Sequence, residues 1–208
     1  KLGSMFNYHP KGKGLNWRTN LYYVETEDNG ASWKSVDGQS LSLPLTEVSN
    51  EALVHNYEAE GLNVYLKDLR FDADNHPLLL YITSRGYESG PKNDPRTWML
   101  ARWTGSAWKI SKITTSDNNY DMGELWLQAE DDWRVIAPTA HGAQAYNPGG
   151  EVVMWQSRDQ GATWNKLRQL TQDSPKNHTY VRRVLDAHPD FLALWADGHG
   201  RQPSDSSL

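Results

Sequence analysis

Thr26-Glu-Asp-Asn-Gly-Ala-Ser-Trp33 and Ser157-Arg-Asp-Gln-Gly-Ala-Thr-Trp164 follow one pattern, Ser/Thr-x-Asp-x-Gly-x-Ser/Thr-Trp, at two distant places in the chain. The pattern is that of a tight hairpin turn. An Asp side chain accepts backbone N–H groups across such a turn, which casts Asp28 and Asp159 as its clasps. Gly30 and Gly161 supply a positive φ that other residues adopt at a cost. Trp33 and Trp164 are expected to tuck beneath the next strand. Asn20–Glu25 and Glu151–Gln156, which lead into the two turns, are rich in the β-branched and aromatic residues of strands. A degenerate third copy, Met99–Ile110, lacks the Asp but keeps the order strand, Gly105 turn, Trp108, strand.

A second kind of hairpin precedes each of the later box-like hairpins. Val64–Phe71 with Leu78–Thr83, Glu124–Ala129 with Trp133–Ala137, and Val181–Leu185 with Phe191–Ala196 read as strand pairs. Their turn centres at residues 75, 131 and 189 repeat about every 57 residues, the length of a four-stranded propeller blade with long loops. The fold class is therefore all-β: a β-propeller of antiparallel four-stranded blades, about three of them, forming part of a larger propeller. Strands labelled A to D from the inside out run B-C-D, A-B-C-D, A-B-C-D, A-B. Residues 1–208 form one partial propeller domain, with blades at roughly 1–45, 62–114, 122–171 and 180–208. Lys1-Leu-Gly-Ser4 before Met5 reads either as a translated cloning scar or as strand sequence. Starting and stopping inside blades leaves open sheet edges, so self-association through those edges is expected. No segment carries a helix period with matching caps.

Composition narrows the function. The net charge of −5 offers no footprint for nucleic acid, and no apolar run reaches the ~20 residues of a membrane span. Without Cys there is no disulfide and no Cys-ligated zinc. Ten Trp and ten Tyr are in excess; such rings suit sugar faces and equally fill gaps between packed sheets.

In a four-stranded blade, B–C loops and D–A links share one face, and the short A–B and C–D turns share the other. Asn7–Thr19, Ser84–Thr97, Pro138–Gly149 and the chain from Asp197 are B–C loops; Leu45–Asn63, Thr114–Met122 and Thr171–Tyr180 are D–A links. These segments are long and irregular, as binding loops are. They carry His9, His55, His141, His178 and His199, together with Arg18, Arg85, Tyr87, Arg96, Tyr120, Tyr146, Tyr180 and Arg201. Arg grips a carboxylate or sulfate with a fork of donors, while Tyr and His exchange protons. An anionic polysaccharide is the expected partner. In Asn177-His-Thr-Tyr-Val-Arg-Arg183, strand alternation puts His178, Tyr180 and Arg182 on one side. Tyr120 holds the corresponding entry one blade earlier. The bland alternative is that His178 and Tyr180 satisfy local backbone and that Arg182 pairs with an acid. Asp72-Ala-Asp74-Asn75 lacks the rest of a calcium loop and reads as a turn, and no glycosidase-like carboxylate pair stands out.

The two turns resemble the Asp box of sialidase-type propellers, the BNR repeat. Asn20-Leu-Tyr-Tyr23, Asp37–Pro44, Asp94-Pro-Arg-Thr-Trp98, Asn119-Tyr-Asp-Met-Gly123, Asn177–Arg183, Ala187–Phe191 and Trp195-Ala-Asp-Gly198 are similar to BNR-repeat polysaccharide lyases, whose characterised members are ulvan lyases. The resemblance spans nearly the whole chain. It implies a seven-bladed propeller with its site in a canyon on one face. It also implies β-elimination next to a uronic acid, with His and Tyr moving protons and Arg neutralising the carboxylate. On that footing His178, Tyr180 and Tyr120 are the catalytic candidates. Arg182, Arg85, His141, Arg18 and His199 are the substrate-binding ones. The family's catalytic His residues can equally lie in blades outside this chain. No cofactor is expected; a structural or carboxylate-neutralising divalent metal is left open. The resemblance alone implies a secreted or periplasmic setting. A sialidase-type hydrolase and a non-catalytic carbohydrate-binding propeller stand as alternatives.

Overall fold

A computed structural model describes residues 1–186, 188 and 190–205. It contains four antiparallel sheets and, besides them, two three-residue 3₁₀ turns. The first sheet joins β1 (Leu2–Tyr8), β2 (Thr19–Thr26) and β3 (Leu53–His55). The second runs β4 (Asn63–Phe71), β5 (Pro77–Ser84), β6 (Arg96–Trp103) and β7 (Trp108–Ser116). The third runs β8 (Glu124–Ala129), β9 (Asp132–Ala140), β10 (Glu151–Ser157) and β11 (Asn165–Gln169). The fourth pairs β12 (Asn177–Arg183) with β13 (Ala193–Gly198). Sequence-adjacent strands are neighbours in every sheet, the up-and-down order of propeller blades. The turn centre expected at residue 189 lies outside the described residues. Among the described residues no helix is long and apolar enough to cross a membrane.

The sheets pack face to face, which explains the short apolar runs of the sequence. Every residue of β5 is buried. Leu78, Leu80 and Ile82 point into a core shared with Leu125, Trp133 and Val135 of the third sheet. The alternate Leu79 and Tyr81 point into a core shared with Leu21 and Tyr23 of the first. A strand covered on both faces loses the apolar–polar alternation of a half-exposed one. β9 repeats the arrangement: Trp133, Val135 and Ala137 face the second sheet, while Ile136 joins Val152 and Val181 in the core toward the fourth. Trp98 is wholly buried at the centre of the first of these cores, its indole N–H donating to Ser116 Oγ at 3.0 Å.

The inner strands β4, β8 and β12 lie side by side, and a repeated clasp joins them. Asp68 of β4 accepts the backbone N–H of Leu125 in β8 at 2.9 Å. Glu124 of β8 accepts the N–H of Arg183 in β12, also at 2.9 Å. Arg70 bridges the two carboxylates, at 2.9 Å from Asp68 and 3.1 Å from Glu124.

The two motif turns share one hydrogen-bond set. Asp28 accepts Ser32 N–H at 2.9 Å and Ser32 Oγ at 2.6 Å; Asp159 accepts Thr163 N–H at 2.8 Å and Thr163 Oγ1 at 2.6 Å. Gly30 and Gly161 take φ of 92° and 85°. These bonds stabilise the charged carboxylates, holding both below the usual Asp range, Asp159 at about 2.

After the turns the two copies diverge. Beyond Trp164 the chain continues as β11, as expected of a D strand. Beyond Trp33 it makes single bridges at Lys34, to Glu25 and to Ser40, and doubles back. Asp37 ties that reversal by accepting from Ser35 Oγ and Gln39 Nε2. The free side of Leu21–Tyr22 is covered instead by β3, which lies in the segment Leu45–Asn63 that the sequence reads as a link. At the other end of this sheet, Leu2–Ser4 pair in register with Val24–Thr26 as part of β1.

Candidate functional site

The long segments meet over the inner strands in a cleft of about 520 Å³. Tyr120 and Met122 enter it from the link before β8, and Pro148 and Gly149 from the loop after β9. Tyr180 enters from β12, and Asp197 with His199 from the end of β13 and beyond. The aromatic rings are presented rather than buried: Tyr120 is 43% and Tyr180 63% exposed.

Buried polar residues set this geometry. Asn118 donates to Tyr146 O at 2.6 Å, and Asp117 accepts Tyr146 N–H at 2.9 Å, pulling the loop after β9 against the link. Asp121 accepts Gly149 N–H at 2.7 Å. Gly149 has φ of 90°, and a Cβ there would run into the His178 carbonyl, so only glycine lets this wall close on β12. Arg96, fully buried, donates to Gly90 O and Glu88 O at 2.8 Å each and pairs with Asp94. It staples the loop after β5 rather than facing a ligand.

Cationic side chains stand against residues of this lining, outside the lining itself. Arg18 stacks over the Tyr65 ring at 5.5 Å, and Tyr65 meets Tyr120 edge-to-face at 5.6 Å. Lys67 sits where β4 slips register against β5, and such a bulge re-aims a side chain. Its ammonium donates to Asn119 O at 2.7 Å and lies 3.9 Å from Met122 Sδ. Lys67 is partly buried. Burial pulls its pKa down to about 7; Asp121 opposes that fall, and Arg18 and Arg182 add to it. Burial likewise pushes buried Asp121 up to about 7. Hydrogen bonds from Ser116 and Gly149 resist that rise, as does the Lys67 charge.

The structure separates residues that alternation would unite. Tyr180 adopts φ of 53°, and the register between β12 and β13 slips between Thr179 and Arg182. The bulge breaks the period-two pattern. Arg182 stays with Tyr180, its guanidinium 5.8 Å over the ring and 3.6 Å from Glu124. His178 turns away: its Nε2 lies 2.8 Å from Ser174 Oγ and 3.9 Å from Glu151. Ser174 and Glu151 line a second hollow, together with exposed His141, so His178 and His141 stand apart from the two tyrosines. Arg85 is exposed at the end of β5. Of the sequence candidates, then, Tyr120, Tyr180 and His199 share the cleft, while Arg182 stacks on Tyr180 and Arg18 reaches Tyr120 only through Tyr65.

Sequence reasoning missed Lys67 and gave Asp121 no role. The one available signal was a charged pair, Lys67-Asp68, interrupting an apolar inner strand. Asp72, Asp74 and His76 form a trio of potential metal ligands within 4.8 Å on the short-turn face. There Asp72 Oδ1 accepts the N–H groups of Asp74 and His76, and the Arg102 guanidinium stands 4.0 Å from Oδ2.

Comparison with known proteins agrees with this architecture. The chain is 25% identical over 185 residues to an ulvan lyase of Nonlabens ulvanivorans, covering 86% of this chain and 37% of that protein. It is 23% identical over 206 residues to an ulvan lyase of Pseudoalteromonas sp., covering 92% and 40%. The chain thus spans about two-fifths of the length of these curated relatives. Among solved structures, a PL25 ulvan lyase superposes with a TM-score of 0.68 at 19% identity, over 94% of this chain and 49% of that one. A form of that enzyme bound to -[GlcA(1-4)Rha3S]- superposes equally, at 0.68 and 18% identity. Residues 10–116, half of the chain, match the family described as BNR repeat-containing, and the chain belongs to that family.

Proposed function

We infer that this chain forms part of a polysaccharide lyase that cleaves an ulvan-like, uronic-acid-containing polysaccharide by β-elimination. One observation carries the reading. Two exposed tyrosines face a single cleft whose lining, among the described residues, contains one carboxylate, Asp197, while Arg182 stacks on Tyr180 and Lys67 stands 3.9 Å from Met122 Sδ of that lining. Most glycosidases use two carboxyl groups across the scissile bond; elimination needs no such pair. In elimination a base removes the proton beside the sugar carboxylate. The electron pair left behind forms a carbon–carbon double bond as the glycosidic C–O bond breaks, and the departing oxygen takes a proton. Cations at the carboxylate stabilise the charge that develops in that step.

In this reading Tyr180 and Tyr120 exchange the protons, Arg182 and Arg18 neutralise the carboxylate, and His199 borders the bound chain. Arg85 and His141, outside the cleft, contact more distant sugars. The similarity to ulvan lyases supports the substrate class, and a polymer of that kind is met outside the cytoplasm, in keeping with a secreted or periplasmic protein. The test is incubation with ulvan while ultraviolet absorbance and reducing ends are both followed. The two should rise together. Reducing ends without absorbance would mean hydrolysis, and binding without either would leave a carbohydrate-binding propeller.

A further inference from the structure

We propose that Asp121 is a positioning residue: through the Gly149 N–H its buried side chain ties together the two segments that carry Tyr120 and Tyr180, and so fixes how far apart these tyrosines stand across the cleft. The proposal rests on the lyase reading for what the tyrosines do, but not for how they are held.

The two tyrosines belong to different sheets, and irregular backbone presents both. Tyr120 lies in the link that leads into β8. Tyr180, at φ of 53°, sits in the bulge of β12, where the ladder passes from Thr179–Ala196 to Arg182–Leu194, so β13 does not pair with it. A chain of hydrogen bonds joins them instead. On the Tyr120 side the turn closes on itself: Asn118 Oδ1 accepts Tyr120 N–H at 2.9 Å, and Asp121 Oδ2 accepts Asn118 N–H at 3.3 Å. Buried Asn119 pins the same turn from two further directions, donating to Gly86 O at 2.9 Å while its own carbonyl accepts from Lys67 at 2.7 Å. On the Tyr180 side, Gly150 and His178 exchange N–H···O bonds of 3.1 and 3.0 Å, an antiparallel bridge just before the bulge. Asp121 Oδ1 connects the halves by accepting at 2.7 Å from Gly149, the residue next to that bridge.

The connecting bond is suited to hold a spacing. Both its partners are buried, so water does not compete for it. Its donor cannot retreat toward β12, because Gly149 already lies against the His178 carbonyl and the Thr179 methyl. The Glu124 clasp, by contrast, grips Arg183 on the far side of the bulge. In the lyase reading one tyrosine takes a proton from the sugar and the other gives one to the departing oxygen, so their separation has to match the substrate. A displacement of about 1 Å can cost ~100-fold in rate.

The test incorporates 3-fluorotyrosine and follows the rings by ¹⁹F NMR, with Tyr120→Phe and Tyr180→Phe assigning the two signals. Asp121→Ala removes the acceptor beside Tyr120, so the diagnostic signal is Tyr180: it should shift or broaden, while the buried Tyr57–Tyr81 pair stays put. Gly149→Ala displaces the donor beside β12, and the diagnostic signal is then Tyr120. Each variant decides by itself, so poor folding of one leaves the other. Asp121→Asn keeps an acceptor oxygen and should leave both signals near their parent positions. With ulvan as substrate, Asp121→Ala should lower kcat by ~10- to 100-fold and change KM by less than about 3-fold, and Asp121→Asn should recover most of that loss. A Tyr180 signal unmoved by Asp121→Ala, or a Tyr120 signal unmoved by Gly149→Ala, would overturn the coupling. Coupled signals with kcat unchanged in Asp121→Ala would overturn the positioning role. Coupled signals in a protein that turns over no uronic-acid polysaccharide would keep the coupling and remove the lyase reading.

Discussion

Glu124 is the residue on which the inner strands and the site both hang, and replacing it gives a sharp quantitative expectation. Its carboxylate accepts Arg183 N–H at 2.9 Å and Arg70 Nη2 at 3.1 Å, and faces Arg182 at 3.6 Å, with the side chain only 14% exposed. Glu124→Ala removes the acceptor of a backbone N–H that ties β12 to β8 and strands two half-buried guanidinium groups. A hydrogen bond to a charged group contributes roughly 1.5–3 kcal/mol, and breaking a fully buried ion pair costs about 3–5 kcal/mol. Partial exposure puts this site at the low end, about 3 kcal/mol. Glu124→Gln keeps an acceptor for Arg183 N–H and loses only the charge, about 1 kcal/mol. In urea unfolding the difference appears as a lower midpoint at unchanged slope. In thermal unfolding, Glu124→Ala lowers Tm by about 6–12 °C for a chain of this size. A loss under about 1 kcal/mol for Glu124→Ala would show that the clasp does not hold the sheets together.

Gly149→Ala places a side chain at φ of 90° against the His178 carbonyl and should cost roughly 2 kcal/mol; stability equal to the parent's would mean the cleft wall is not built on that approach. Tyr120→Phe and Tyr180→Phe should each lower turnover of a uronic-acid polysaccharide by about 100-fold or more while leaving unfolding unchanged, because both hydroxyls lie in the open cleft. Full turnover in both would move the proton-transfer groups elsewhere. The Lys67–Asp121 pair predicts a pH profile of stability. Asp121, raised from 3.8 to about 7, contributes stability below pH 4 that is lost as pH climbs to 7. Lys67, lowered from 10.5 to about 7, contributes stability that is absent at 7 and returns toward pH 10. The stability gained by a Lys67→Met/Asp121→Asn double variant over the parent should therefore peak near neutrality, and a flat difference across pH would refute the assigned shifts.

The strands legible in the sequence are those whose pattern is local. Glu124–Ala129 appears with both ends as expected, and β5 shows the continuous apolar run that two-sided burial produces. The motif turns were legible because one Asp, one Gly and two hydroxyl residues suffice to close them. What escaped depends on neighbours distant in sequence. The strand expected after Trp33 is diverted because Asp37 folds Ser35–Gln39 back, leaving Leu53–His55 to cover the sheet edge. In the site, bulges at Lys67 and at Tyr180–Val181 defeat the period-two rule: one turns an unremarked lysine onto the link before β8, the other parts His178 from Tyr180. Bulges are set by how strands settle against their partners, and no single residue announces them.

The central claim, that the long-loop cleft over the inner strands receives an anionic saccharide, is tested most directly by a crystal structure of the protein soaked with a sulfated uronate oligosaccharide. Sugar rings should lie between Tyr120 and Tyr180, with an oxyanion directed at Arg18 and Arg182. Sugar bound instead on the short-turn face, beside Asp72 and Arg102, with the cleft empty, would contradict it.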